Sequence, residues 1–186
     1  MKEIILASNS PRRREILKSA GLDFEIIPSE YEEILDTDNF TYEAIENLAY
    51  NKALDVANKI DKKALIIGAD TVVVYNNKIL TKPKDREDAI NTIKSLSDVE
   101  HNVVTGICVI DKYEDIVKIK SVTTKVHFTK LSDEMIIHYV DNYKPFDKAG
   151  AYGIQELPPE YIKYVDGSLE NVIGLCSKTV LKMLEA

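Results

Sequence analysis

The chain has 186 residues, 45% of them hydrophobic, and a formal net charge of -7 at pH 7. These values suit one domain over residues 1–186. The two cysteines form no CxxC pair and we recognise no signal peptide, so we expect a reduced, cytoplasmic setting. The acidic balance excludes non-specific attraction to nucleic acid as the main role, and no apolar run approaches the roughly 20 residues of a membrane-spanning helix.

Hydrophobic periodicity and turn residues predict helices that interleave with strands. In chain order the predicted elements are a strand at 3–7, a helix at 11–20, a strand at 24–29, a helix at 41–60, a strand with a short return at 64–83, a helix at 85–97, two β-rich runs at 101–112 and 116–130, a helix at 132–143, a glycine-rich loop at 148–155 and a helix near 175–185. The predicted helix N-caps are Ser10, Thr41, Asp85 and Ser132. Because one long strand pair is a hairpin, the pattern indicates an α/β protein with a mixed, twisted sheet.

The first predicted helix begins with an unusual run of three arginines at 12–14. Ser10 suits the N-cap and Pro11 the first helical position. A helix N-terminus already carries partial positive charge, so arginines there cost a few tenths of a kcal/mol each. A bound anion reverses that sign, and free backbone N–H groups, the Ser8 hydroxyl and forked guanidinium groups together suit a phosphate. The alternative is a solvated basic turn.

Two charged residues interrupt otherwise apolar elements. Lys52 lies between Leu48 and Val56 on the apolar stripe of the helix at 41–60, so it needs either an anionic partner or a path to the rim. Asp70 interrupts an apolar run at 65–74, where a buried carboxylate binds a cation or acts as a base with a raised pKa. A turn cap or a hydrogen bond at the end of a strand is the structural alternative for Asp70.

Three weaker signals complete the set of candidate residues. The acidic stretch with Glu30, Glu32 and Glu33 is either a solvated face or a source of one Mg²⁺ ligand. Lys82 is held before a proline at the end of the return strand, although lysines are mostly surface residues. Gln155 ends the glycine-rich loop, and its amide suits the edge of a nucleobase as well as a plain turn.

Together these stretches resemble the Maf family of nucleoside triphosphate pyrophosphatases. LASNSPRRREIL resembles the family signature, and SEYEE, LAYNKA, IGADTVV, KPKD, DKAGAYGIQ and VDGSLENVIGL follow in the family's order and spacing. The resemblance implies a two-lobed α/β fold around a deep cleft, related to the inosine triphosphate pyrophosphatases. It also implies hydrolysis of a nucleoside triphosphate to the monophosphate and pyrophosphate, a divalent cation (Mg²⁺ or Mn²⁺), and a homodimer.

The resemblance also assigns roles to individual residues. Asp70 matches the catalytic carboxylate, as proton acceptor or metal ligand, and Glu32 matches an acidic position that binds the metal. The positions that match phosphate-handling residues are Ser8, Arg12, Arg13, Lys52 and Lys82. The positions that distinguish substrate subfamilies are Arg13, Thr71 and Gln155. This combination resembles the subfamily that acts on dTTP and UTP.

The chain departs from the family pattern on the expected base side of the cleft. ELPPEYI follows Gln155 where small, glycine-rich residues are usual, Leu169 replaces an aromatic residue, and Cys176 replaces a proline. These departures concern the choice of base rather than the reaction. Two other functions stay open from the residues alone, a nucleotide-binding regulator of cell division without turnover and an enzyme of sugar nucleotides or polyphosphate. The cellular role is either house-cleaning of the nucleotide pool or arrest of division.

Overall fold

A computed structural model describes residues 2–185. Its strands are β1 (Ile4–Leu6), β2 (Glu25–Ile26), β3 (Leu65–Tyr75), β4 (Lys78–Leu80), β5 (Glu100–Asp111), β6 (Ile116–Phe128) and β7 (Ile162–Asp166). Its helices are α1 (Pro11–Ser19), α2 (Tyr42–Lys59), α3 (Arg86–Leu96), α4 (Asp133–Tyr143), α5 (Leu169–Ile173) and α6 (Ser177–Glu185), with single 3-10 turns at Ala149–Ala151 and Pro159–Tyr161. No helix in this part of the chain combines the length and apolarity needed to cross a membrane.

The strands form one mixed sheet in the order β2-β1-β3-β5-β6-β7, with β4 also paired to β3. β1 runs parallel to β2 and β3, whereas β3, β4, β5, β6 and β7 pair antiparallel. This arrangement confirms the predicted mixed α/β class. β1 pairs with β3 at residues 65–67 and β4 pairs at 73–75, both on the edge opposite β5. Residues 68–72 of β3 therefore have no strand partner on that edge, and we call this gap the edge slot.

The N-cap residues predicted most helix starts correctly, whereas the shortest helices and strands were not predicted or were predicted too long. The side chains of Ser10, Thr41, Asp85 and Ser132 each accept a hydrogen bond from the backbone N–H three residues later, as predicted. The strand predicted at 24–29 shrinks to two residues in β2. β7 and α5 were not predicted, because five-residue elements are too short to show a hydrophobic period.

Helices cover both faces of the sheet, and on one face they form two separate groups. α2 packs on one face, against even-numbered β3 side chains such as Ile66 and Val72. On the other face, α1 and α6 pack near Ala69 at one end of the strands. α3 and α4 pack around Val73 and Phe128 at the other end. The space between these two groups is a cleft over the middle of the sheet, which gives the predicted two-lobed shape a physical basis.

Two glycines allow α2 to lie unusually close to the sheet. A Cβ atom on Gly68 in β3 would overlap the Ala49 carbonyl oxygen and lie 2.8 Å from the Ala53 nitrogen. A Cβ atom on Gly106 in β5 would lie 2.5 Å from the Ile45 carbonyl oxygen. Both distances are far below van der Waals contact, so the strands present bare backbone to the helix. This close approach sets the height of α2 above β3 and therefore the reach of its polar side chains.

One buried histidine in the α3/α4 lobe gives the fold a measurable pH dependence. His101 is 2% exposed, and its Nε2 lies 2.6 Å from the Tyr152 hydroxyl oxygen. Burial, with a smaller contribution from His127, lowers the pKa of His101 from 6.5 to about 4, against the opposing charge of Glu100. Between pH 4 and 6.5, His101 is protonated in the unfolded chain but neutral in the folded chain. The free energy of unfolding therefore rises with pH across this window.

The free energy of unfolding is therefore expected to fall by about 3 kcal/mol as the pH drops from 6.5 to about 4, from this residue alone. Urea unfolding at a series of pH values measures this slope. His101→Gln, which cannot titrate, should flatten it, whereas His138→Gln, at an exposed position, should not. An unchanged slope in the His101 variant would show that other groups carry the pH dependence.

Candidate active site

The cleft has a volume of about 300 Å³ and its floor is the sheet itself, at Thr71, Val73 and Val103. The N-terminus of α1 forms one wall, and the loop at 147–156 forms the opposite wall. The end of α5, at residues 172–174, closes a third side. The size and the mixture of apolar floor and polar walls suit a small flat ligand with an anionic group.

The arginine run is split between two tasks at the start of α1. Arg12 lines the cleft. The Arg13 guanidinium donates from Nε to the Gly174 carbonyl oxygen (2.9 Å), from Nη2 to Thr71 Oγ1 (3.1 Å) and from Nη1 to Ser8 Oγ (3.3 Å). Burial lowers the pKa of Arg13, partly offset by the charge of Asp70, yet an arginine stays protonated. Arg13 is therefore a fixed cation that joins α1, β3 and the end of α5.

Asp70 lies on the opposite face of the sheet from Thr71, because successive side chains of a strand alternate. It is 8% exposed and meets Lys52 from α2, whose Nζ lies 2.5 Å from Asp70 Oδ1. The same Nζ lies 2.5 Å from Glu33 Oε1. Burial raises the pKa of Asp70, the charge of Glu33 raises it further, and Lys52 and Arg13 oppose the shift. Of the two alternatives that the sequence left open for Lys52, an anionic partner or a path to the rim, the structure shows the anionic partner.

The acidic stretch places Glu33, one of its three candidate glutamates, beside Lys52 and Asp70, with its side chain half-exposed. Glu32, which the resemblance matches to a metal-binding position, is the next residue in the chain and is also exposed. Residues 27–41 form neither helix nor strand, so no periodicity indicates which glutamate of the run lies nearest Lys52. Lys59 binds Glu30 at 2.7 Å, which gives that residue a surface role.

The far wall of the cleft brings together Lys82 and Gln155, both predicted, with a pair that sequence reasoning missed. Lys148 Nζ lies 3.2 Å from Glu156 Oε2 and 3.2 Å from Asp147 Oδ1. Lys148 belongs to the DKAGAYGIQ stretch, whose resemblance to the family motif was the available signal. The lysine is largely buried between its two acidic partners, so this wall is polar but nearly neutral.

Comparison with known protein families assigns this chain to one of them. The family model described as Maf-like protein matches residues 3–186, which is almost the whole chain. The chain belongs to the Maf family. The resemblance inferred from LASNSPRRREIL and DKAGAYGIQ is confirmed.

Relatives support the same family over the full length. The dTTP/UTP pyrophosphatase of Ruminiclostridium cellulolyticum is 45% identical over 186 residues, covering 100% of this chain and 96% of the relative. The protein of the same name from Alkaliphilus metalliredigens is 45% identical over 175 residues, covering 94% and 91%. Among solved structures, a HAM1 protein from Coxiella burnetii superposes with a TM-score of 0.54 at 18% identity over 100% of both chains. That likeness shows a shared fold.

The predicted Maf residues fall into two groups on either side of the sheet. Those that line the cleft are Arg12, Arg13, Thr71, Lys82 and Gln155. Ser8 joins them through Arg13, while Asp70 and Lys52 lie on the α2 face. The edge slot at 68–72 includes both Asp70 and Thr71, so the two groups adjoin at this edge of β3. The charges of Arg13 and Asp70 influence each other's pKa, which is consistent with groups that are close in space.

The oxygen atoms of Asp70 and Glu33 suit the divalent cation that the family implies. Mg²⁺ is commonly held by one or two carboxylates, with substrate phosphates and water completing its ligands. Within residues 2–185 no three His, Cys, Asp or Glu side chains are grouped to hold a metal ion. The donor set thus fits a metal that shares its ligands with a phosphate chain.

Proposed function

We propose that this protein hydrolyses nucleoside triphosphates, chiefly dTTP and UTP, to the nucleoside monophosphate and pyrophosphate. The observation that carries the proposal is the buried Asp70 carboxylate at the edge slot, next to a cationic cleft large enough for a nucleoside. The names of the relatives, each a dTTP/UTP pyrophosphatase, support the same reaction and substrates.

Binding follows from the two sides of the site. The base and sugar occupy the cleft, where the Gln155 amide can donate to and accept from a pyrimidine edge. The triphosphate lies at the N-terminus of α1, where Arg12 and Lys82 neutralise its charge. Arg13, held by Ser8 and Gly174, keeps a fixed cation between the two halves. The otherwise unfavourable arginines at the helix start thereby gain an anionic partner.

The proposed reaction is attack of water on the α-phosphorus. Ionised Asp70 accepts a proton from the water while the water oxygen bonds to the α-phosphorus. The bond from the α-phosphorus to the oxygen that bridges it to the β-phosphorus breaks. Pyrophosphate leaves with that bridging oxygen and the electron pair of the broken bond. Fixed cations beside the phosphates stabilise the charge that develops, as in phosphoryl transfer generally.

Asp70 and Glu33 would hold a Mg²⁺ or Mn²⁺ ion at the phosphates. When bound, such an ion neutralises phosphate charge and orients the chain of phosphates. Glu32, the metal-binding position implied by the family resemblance, lies next to Glu33, is likewise exposed, and is a further candidate ligand.

A panel of canonical and modified nucleoside triphosphates, assayed for pyrophosphate with Mg²⁺ or Mn²⁺, tests the proposal. We expect dTTP and UTP to be hydrolysed fastest, with pyrophosphate and the monophosphate as the products. EDTA should abolish turnover. Binding of dTTP without any pyrophosphate release would instead identify a nucleotide-binding regulator, and release of orthophosphate would identify a different hydrolase.

The raised pKa of Asp70 sets the acid side of the pH profile. Asp70 must be ionised to accept a proton, and burial raises its pKa above the ordinary 3.8. The pH dependence of kcat/KM reports ionisations of the free enzyme. We therefore expect kcat/KM for dTTP to rise with pH along an acid limb whose midpoint lies above pH 3.8. A profile that is already flat at this value would contradict the role of a buried Asp70.

The cellular setting is part of the proposal. We place the protein in the cytoplasm, supported by Cys108 and Cys176, which are both buried and free of disulfides. House-cleaning of the nucleotide pool and arrest of division are both compatible with removal of dTTP and UTP. The homodimer that the family suggests remains a prediction.

A further inference from the structure

Lys52 lies in the place that a metal ion would need. Its Nζ bridges Asp70 Oδ1 and Glu33 Oε1 at 2.5 Å each. Its side chain is only 13% exposed, and it rises from α2 between Leu48 and Val56 on the apolar stripe. A cation held by the same two carboxylates would meet the ammonium group directly.

Two like charges cannot share this position at low cost. Repulsion between a divalent cation and an ammonium strengthens as water becomes scarce, and the Asp70 and Lys52 side chains are mostly buried, although Glu33 is half-exposed. The two carboxylates alone would bind a cation only weakly, with water as its remaining ligands, since within the described residues no third acidic or histidine side chain joins them. The Lys52 ammonium is therefore the main obstacle to metal binding by the free protein, and the small number of protein ligands is a second, weaker one.

A triphosphate removes both obstacles at once. Its oxygens supply the missing metal ligands, and they also give the three N–H donors of Lys52 new acceptors. The flexible lysine stem allows the ammonium to move from the carboxylates to the phosphates without movement of α2. The Lys52 ammonium thus stays in the site, where it would donate hydrogen bonds to the phosphates of the substrate.

We propose that Lys52 is a substitute cation in the free protein, and that the substrate is the metal–nucleotide complex rather than free nucleotide bound by a metalloprotein. This inference rests on the proposed function of the same site. Lys52 is then a positioning residue, which keeps Asp70 and Glu33 preformed and prevents them from collecting metal without substrate. Binding of the complex exchanges one cation for another between the same carboxylates.

Mn²⁺ binding provides a test that does not depend on turnover. Free Mn²⁺ measured by electron paramagnetic resonance, and water proton relaxation, would be compared for the wild-type protein, Lys52→Met and Lys52→Arg without nucleotide. We expect Lys52→Met to gain one Mn²⁺ site that binds at least tenfold more tightly than any site of the wild type. Lys52→Arg, which keeps the positive charge, should gain none. Adding Glu33→Gln to Lys52→Met should remove the new site.

The wild type alone gives a second measurement if Lys52→Met fails to fold. With an α,β-methylene analogue of dTTP, relaxation should report protein-bound Mn²⁺, and without the analogue it should not. Tight Mn²⁺ binding by the free wild type, or no gain in a folded Lys52→Met protein, would overturn the inference. Neither result affects pyrophosphate release, whose absence with metal present would overturn the proposed function instead.

Discussion

Replacing Asp70 with asparagine is expected to lower the rate of pyrophosphate release from dTTP by about three orders of magnitude and to leave the fold intact. The amide has nearly the same shape as the carboxylate, but it cannot accept a proton from water and is a poor ligand for a divalent cation. The Lys52 ammonium keeps Glu33 as a partner, 2.5 Å away, so it is not left unpaired. Initial rates with saturating dTTP and Mg²⁺, together with thermal unfolding, measure both parts.

Asp111→Asn is a matched control for Asp70→Asn. Asp111 is a second buried aspartate that pairs with a lysine, Lys2, at 2.9 Å. It ends β5 beside the N-terminal end of β3 at Leu65, away from the edge slot. The control is expected to lose some stability but to keep its turnover. Near-normal hydrolysis by Asp70→Asn would remove the central residue of the proposed mechanism.

Replacing Gly68 with alanine is expected to destabilise the protein by about 3 kcal/mol, the upper end of the usual cost of overpacking. The new methyl group would overlap the Ala49 carbonyl oxygen and crowd the Ala53 nitrogen, both of them backbone atoms that cannot rotate away. α2 would have to lift from the sheet and carry Lys52 away from Asp70. Because small displacements in a reacting site cost roughly 10²-fold in rate, the folded fraction should also turn over more slowly. Urea unfolding and initial rates measure the two effects.

Gly21→Ala separates backbone conformation from close packing. Gly21 has φ +81° and nothing within 4 Å of the added methyl group, so only the left-handed backbone is penalised, by about 1 kcal/mol. We expect this variant to remain fully active. A Gly68→Ala protein that was no less stable than Gly21→Ala would show that α2 can move without loss.

Features encoded within a few residues were predictable. The N-caps at Ser10, Thr41, Asp85 and Ser132 were identified because each cap bonds only three residues ahead. The long antiparallel pair was predictable from alternating and apolar runs, and Lys52 from its place on a helical stripe. Asp70 was noticed because a carboxylate interrupts a strand whose other side chains are mostly apolar.

Features that depend on distant parts of the chain were not predictable. The carbonyl oxygen of Gly174 that fixes Arg13 is 161 residues away, and no local pattern marks a backbone acceptor. The sequence offered Glu30, Glu32 and Glu33 as equal candidates, because neighbouring glutamates in an irregular segment look alike until the tertiary fold brings one of them, Glu33, to Lys52. The pairing of Lys148 with Glu156 closes a loop wall, and loop geometry has no sequence period. Only the family resemblance carried information about such contacts.

The edge slot has a consequence for how this site can change over time. The groups proposed to touch the base lie on one face of the sheet, and Asp70, Lys52 and Glu33 lie on the other. A substitution on the base side, such as those in the ELPPEYI stretch, can therefore alter the choice of nucleotide without disturbing the carboxylates that act on the phosphate. The two properties are separable under selection, so related proteins can acquire new substrates while they keep one reaction.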